Sequence, residues 1–231
     1  GLELDSCPAE PPNRQTPGHR TSSFTDRPFA KITDSRSLKS RGMPRRSAAE
    51  ARTTIRRIVQ AGVDKASVEG LYGLTIGNLA DELGMSKAGV IGPFGSKDGL
   101  QAAVLDAAIE RFVHAVVAPG AGQPAGRAAL DQLLERWVNY LAAGPFPNGC
   151  FITAASCELD GRDGPLRERL REIVVAWRAV LHEQVLAAQR ERSAAQRPAD
   201  EIVLALTGLA MAANQAIQLL GSDPAAVAAQ T

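Results

Sequence analysis

The side chains of this 231-residue chain that could do covalent or metal chemistry are few and scattered. His19, His114 and His182 are the candidate bases, and Cys7, Cys150 and Cys157 the candidate nucleophiles and soft ligands. Their spacing assembles no site. There is no Gly-x-Ser-x-Gly elbow to expose a serine, no Gly-x-x-x-x-Gly-Lys loop to cradle phosphates and no His-Glu-x-x-His pair for zinc. Cys150 and Cys157 stand at i and i+7 and could share a helical face, yet two thiols fall short of a four-ligand metal site. Three cysteines without a C-x-x-C pair read as free thiols; sensing by Cys150 and Cys157 is open beside the ordinary role of cysteine as a small buried hydrophobe. No catalytic residue, metal or cofactor is expected.

Charge is the more informative chemistry. Residues 1–57 carry 12 basic and 6 acidic side chains, whereas residues 101–231 carry 11 basic and 14 acidic, so an overall charge of +1 hides one end that prefers anions. Such an excess suits a solvated tail or a nucleic-acid partner. No apolar run approaches a membrane span and no secretory signal pattern opens the chain, so a cytoplasmic protein without a membrane partner is expected.

These residues need elements to position them. Residues 1–42 hold five of the 14 prolines and no apolar periodicity, and are expected to be a disordered extension, with Met43 the natural start. Beyond Ser47 the pattern is helix after helix with no alternating β-branched run, which makes the protein all-α. Ile55, Ile58, Val59, Val63 and Ala66 share one face of a first helix at about 48–69. Thr75 caps a short second helix with Ile76, Leu79, Ala80 and Leu83 as its stripe, and Gly84 breaks it. Ser86 caps a third, which Gly92-Pro93 must end or distort, and Ser96 a fourth running to about Val117. After the Pro119–Pro124 linker, helices are expected at about 127–143, 151–159, 165–191 and 199–220.

Two short helices joined by a Gly-containing turn match a helix-turn-helix, although the same caps could simply build a compact helical domain. A helix that enters a major groove needs small or polar residues at its leading end, which Ser86, Lys87, Ala88 and Gly89 supply. Arg45, Arg46 and Arg52, before or on the first helix, could follow a DNA backbone as a basic arm.

Gly73-Leu74-Thr75-Ile76-Gly77-Asn78-Leu79-Ala80-Asp81-Glu82-Leu83-Gly84-Met85-Ser86-Lys87, followed by Phe94-Gly95-Ser96-Lys97-Asp98-Gly99-Leu100, resembles the N-terminal domain of the TetR/AcrR family of bacterial transcriptional regulators. The likeness covers residues 47–117 without gaps. It implies a three-helix DNA-binding domain (43–95), a connecting helix (96–119), a ligand-binding and dimerisation bundle (120–221) and a flexible tail (222–231), about nine helices in all. It further implies that Thr75, Ser86, Lys87, Ala88 and Gly89 face double-stranded DNA, that Lys97 holds a phosphate, and that Phe94 packs the third helix onto the core. A lysine at a helix N-terminus opposes the macrodipole unless an anion, Asp98 or solvent compensates it. The departure is Ile91-Gly92-Pro93, where the family places aromatic residues: a phosphate-binding tyrosine is missing, and the glycines lower helix propensity by about 1 kcal/mol each.

Residues 125–231 resemble the family's regulatory domain more loosely, through Gly149-Cys150-Phe151-Ile152, Gly164-Pro165-Leu166-Arg167 and Trp177. The resemblance implies an effector pocket, for which the candidates are Phe112, Trp137, Tyr140, Phe146, Phe151, Cys157, Trp177, Met211 and Asn214, each of which core packing would also explain. Asn214 is the more telling, because a buried amide needs a partner. It also implies a homodimer through the last two long helices, with Leu170, Trp177, Leu181, Leu206, Leu209, Ala213 and Ile217 as the contact stripes, although a tightly packed monomer would use the same residues. The function implied is a ligand-responsive repressor reading a palindromic operator as a dimer, with an unidentified small-molecule effector. The alternative is a helical dimer whose DNA-binding half has degenerated, leaving a ligand-binding or protein-interaction module.

Overall fold

The computed structural model describes residues 45–191 and 197–229, with side chains from residue 48 onward. The extension expected over 1–42 therefore lies outside the described residues. Within them the chain forms nine α-helices and no strand: α1 Arg45–Glu69, α2 Ile76–Leu83, α3 Lys87–Ile91, α4 Lys97–Phe112, α5 Arg127–Ala143, α6 Phe151–Leu159, α7 Pro165–Arg190, α8 Ala199–Gln218 and α9 Pro224–Ala228.

The short helices begin where a hydroxyl can satisfy an orphan backbone donor. Thr75, Ser86 and Ser96 accept from the N–H groups of Asn78, Gly89 and Gly99 at 3.1, 3.1 and 3.0 Å. Gly84 ends α2 with φ +63°, and Met85 N–H returns to the Ala80 carbonyl, so the chain turns out of α2 before α3 begins. Helix α4 then crosses α1 so closely that a Cβ on Gly62 would stand 2.6 Å from Val104 Cγ2.

Sequence periodicity extends α4 to Val117, but the α-helix stops at Phe112 and continues as a π turn (Val113–Val117) and a 3-10 turn (Ala118–Gly120). The wider turn carries Val116 and Val117 inward together, both buried. A single core runs from Ile58 on α1 through Val104, Ile109 and Phe112 on α4 to Leu133, Trp177, Leu181 and Val203 in the bundle. Helix α4 thus belongs to both halves. Residues 222–231, read as a flexible tail, instead contain α9, capped by Asp223 and packed through Val227 against the core.

Candidate nucleic-acid interface and regulatory core

Around the Gly84 turn, Thr75, Ser86, Lys87 and Ala88 are exposed and Gly89 is half-buried, while Val90 is fully buried and anchors α3. Five residues make up α3, which stops at Ile91; Gly92 caps it, and Phe94, half-buried, packs against the core. The aliphatic stem of Lys87 lies over Gly77, where a Cβ would stand 3.6 Å from Lys87 Cε. The Ser86 hydroxyl oxygen is already occupied by Gly89 N–H, leaving its proton to donate. Lys97 sits in the first turn of α4 with Nζ 3.5 Å from the Tyr72 carbonyl. Helix α1 starts earlier than its apolar periodicity suggests, so Arg45 and Arg46 lie on its first turn; Arg52 is exposed two turns on, joined by Arg56 and Arg57.

The turn between α1 and α2 is gripped from α6 and its flanks. Glu158 on α6 accepts from the N–H groups of Leu71 (2.8 Å) and Tyr72 (2.7 Å) with its two carboxylate oxygens. Buried Gln101 donates to the Leu71 carbonyl, Asn148 donates to the Val68 carbonyl, and the Arg162 guanidinium lies 4.3 Å above the Tyr72 ring. The other end of α6 is held by Asn214 on α8, whose Oδ1 accepts from Cys150 N–H at 2.8 Å. Helix α6 is therefore tied at one end to α8 and at the other to the α1–α2 turn. Asn214 stood out in the sequence as a polar residue on an apolar helix; Glu158 did not, since its partners lie 86 and 87 residues away.

The candidate pocket aromatics form a filled cluster. Phe112 meets Tyr140 and Trp177 edge-on at 5.2 and 5.0 Å, Trp137 meets Trp177 at 4.9 Å, and Phe146 links Tyr140 to Phe151. Of the nine pocket candidates Tyr140 alone lines the open cleft between α5 and the end of α4; Cys157 and Met211 are exposed. Burial pushes the Tyr140 phenol and the Cys150 thiol up. Tyr140 Oη, Trp177 Nε1 and both amide atoms of Gln184 are buried without a hydrogen-bond partner among the described residues.

The expected dimer stripes need correction. Leu170, Trp177, Leu181 and Ala213 are buried within the chain's own core and present no surface for a second chain. Leu206 and Ile217 are half-buried, and Leu209 alone of the seven is exposed. The strongest apolar row on each helix serves the chain's own core, and a second row is left outside: Val175, Ala179 and Leu186 on α7, and Leu204, Gly208 and Met211 on α8. His182 Nε2 and Asp200 Oδ1, 3.5 Å apart, bridge these two helices.

Residues 126–231 match the family described as tetracyclin repressor-like, C-terminal domain. The chain has the TetR-family regulator fold. A TetR transcriptional regulator from Chloroflexus aurantiacus superposes with a TM-score of 0.69 at 22% identity, covering 79% of this chain and 93% of that one. A TetR-family transcriptional regulator from Cytophaga hutchinsonii gives 0.66 at 17% identity, over 78% and 92%. AibR, in complex with isovaleryl coenzyme A and operator DNA, gives 0.64 at 14%, over 77% and 95%. No curated protein matches the chain. Among the described residues of this TetR-like chain, no helix is long and apolar enough to cross a membrane.

Proposed function

We propose that this chain is a ligand-responsive transcriptional repressor that binds a palindromic operator in double-stranded DNA as a homodimer and is released by a small molecule. The observation that carries the reading is the exposed Ser86-Lys87-Ala88 end of α3, held out by the Gly84 turn and anchored through Val90. A small, polar leading end lets a helix approach base edges, while Lys97 and the α1 arginines supply backbone contacts. One five-residue helix specifies little DNA; a two-fold pair about 34 Å apart reads two half-sites. The outer rows of α7 and α8 supply an apolar face for that pairing. The likeness to AibR, whose structure holds an acyl coenzyme A and operator DNA, supports both ligand and DNA binding.

Fluorescence anisotropy of the protein on the labelled duplex upstream of its own gene, against a scrambled duplex, tests the reading. Specific binding that weakens with salt, with a log–log slope of about −0.9 per phosphate contact, is expected. A folded dimer that binds no duplex at low salt would transfer the function to a ligand or protein module with a degenerate DNA-binding half.

A further inference from the structure

An open cleft of about 780 Å³ separates the end of α4 and its π turn from α5, within the size range of small-molecule sites. Its polar lining is mainly cationic or donor-bearing. Arg111 and His114 come from the α4 side, and Arg136, Asn139 and Tyr140 from α5, with Glu110 the one carboxylate in the wall, exposed to solvent.

The arginines differ. Arg111 already has its anion: Nη1 and Nη2 both bond Asp64 Oδ1 at 3.1 Å, and its guanidinium lies over the Phe146 ring. Arg136 has none. Its Nε donates to the Val116 carbonyl at 2.8 Å, and no described carboxylate comes within 4.0 Å of it. Its head is packed so tightly against the 3-10 turn that a Cβ on Gly120 would stand 2.8 Å from Nη2. Half-buried and held by main chain alone, this guanidinium is a fixed positive charge with its Nη donors uncommitted to any anion. Ala115, Ala143 and Pro145 line the rest of the cleft and offer an apolar bed.

We propose that this cleft binds a small organic anion, an acidic headgroup on a flat apolar body, with the headgroup held by Arg136, His114 and Asn139. That the bound anion acts as the effector rests on the repressor reading above; that it binds does not. Occupancy would reach the DNA-binding unit through Arg111, which lines the cleft and bonds Asp64 on α1.

The test uses 8-anilinonaphthalene-1-sulfonate as the anionic probe and N-phenyl-1-naphthylamine as its uncharged counterpart, in fluorescence titrations without DNA, so that its failure is distinct from failure to bind an operator. Arg136→Gln is expected to weaken the sulfonate about tenfold and leave the neutral probe within about twofold. Ala143→Trp, which fills the cleft from an exposed position, is expected to abolish sulfonate binding there. Should Arg136→Gln unfold by circular dichroism, Ala143→Trp decides alone. Sulfonate affinity unchanged in Ala143→Trp, or both probes weakened in parallel in a folded Arg136→Gln, would overturn the proposal.

Discussion

Removing the charge at Glu158 measures how firmly α6 holds the α1–α2 turn and the short helices that follow it. The carboxylate accepts two main-chain N–H groups, at 2.8 and 2.7 Å, and each charge-assisted bond is worth about 1.5–3 kcal/mol. Glutamine keeps one neutral acceptor and turns an amide donor toward the other N–H. Leu71 lies inside the core, whereas Tyr72 is exposed and its N–H can recruit water. Because Glu158 is itself half-exposed, the expected net loss for Glu158→Gln is nearer about 1–2 kcal/mol. For a chain of this size that lowers Tm by about 2–8 °C. Thermal denaturation by circular dichroism reads the global loss, and amide hydrogen exchange reads the local one, with Leu71 and Tyr72 losing protection first. A Tm within about 1 °C of the parent, together with unchanged protection at those two amides, would show that the clamp contributes nothing and that core packing alone holds the turn.

Phe112→Ala removes the ring that joins Tyr140 to Trp177 and should cost about 3–5 kcal/mol in a urea titration, whereas Leu209→Ala, at an exposed position, should cost under about 1 kcal/mol to the isolated protomer. If the outer rows of α7 and α8 pair two chains, Leu204→Glu with Met211→Glu should halve the mass seen by analytical ultracentrifugation without loss of helix content; an unchanged dimer would place the interface elsewhere. Lys97→Ala should weaken operator and scrambled duplex alike and make the salt slope shallower by about 0.9, and a loss confined to the operator would argue for a base contact instead. Burial both hides the Cys150 thiol and disfavours its thiolate, so the native Cys7→Ser/Cys157→Ser variant should react with Ellman's reagent only after denaturation.

Local chemistry was legible without coordinates. Thr75, Ser86 and Ser96 announce helix starts because a hydroxyl beside the chain can take an orphan N–H, and Gly84 announces the turn because a left-handed residue is needed there. Apolar spacing likewise marks α1, α2, α7 and α8 as amphipathic, since each must bury a stripe. What spacing could not say is what each stripe faces. Leu170, Trp177 and Leu181 repeat as a dimer seam would, yet they fill the chain's own core, and the weaker Val175–Ala179–Leu186 row is left outside. A periodic pattern reports that surface is buried, not against which chain.

The aromatic candidates show the same limit: their size implied a pocket or a core, and only three-dimensional packing closes Phe112, Trp137 and Trp177 onto one another. The clamp of Glu158 on residues 71 and 72, the tie of Asn214 to Cys150 and the lack of an ion pair at the Arg136 guanidinium were all beyond sequence reasoning. Each depends on where a helix set by contacts 60 or more residues away delivers one side chain, or on which carboxylates fail to arrive. The sequence by itself determined α1 to α8 in outline, the hydroxyl caps of α2, α3 and α4 and the polar end of α3, because those follow from interactions within a few residues; the π turn after Phe112 and α9 it did not. The tertiary structure alone decided which faces remain open and which charges remain unanswered, because burial and charge pairing belong to the whole packed molecule.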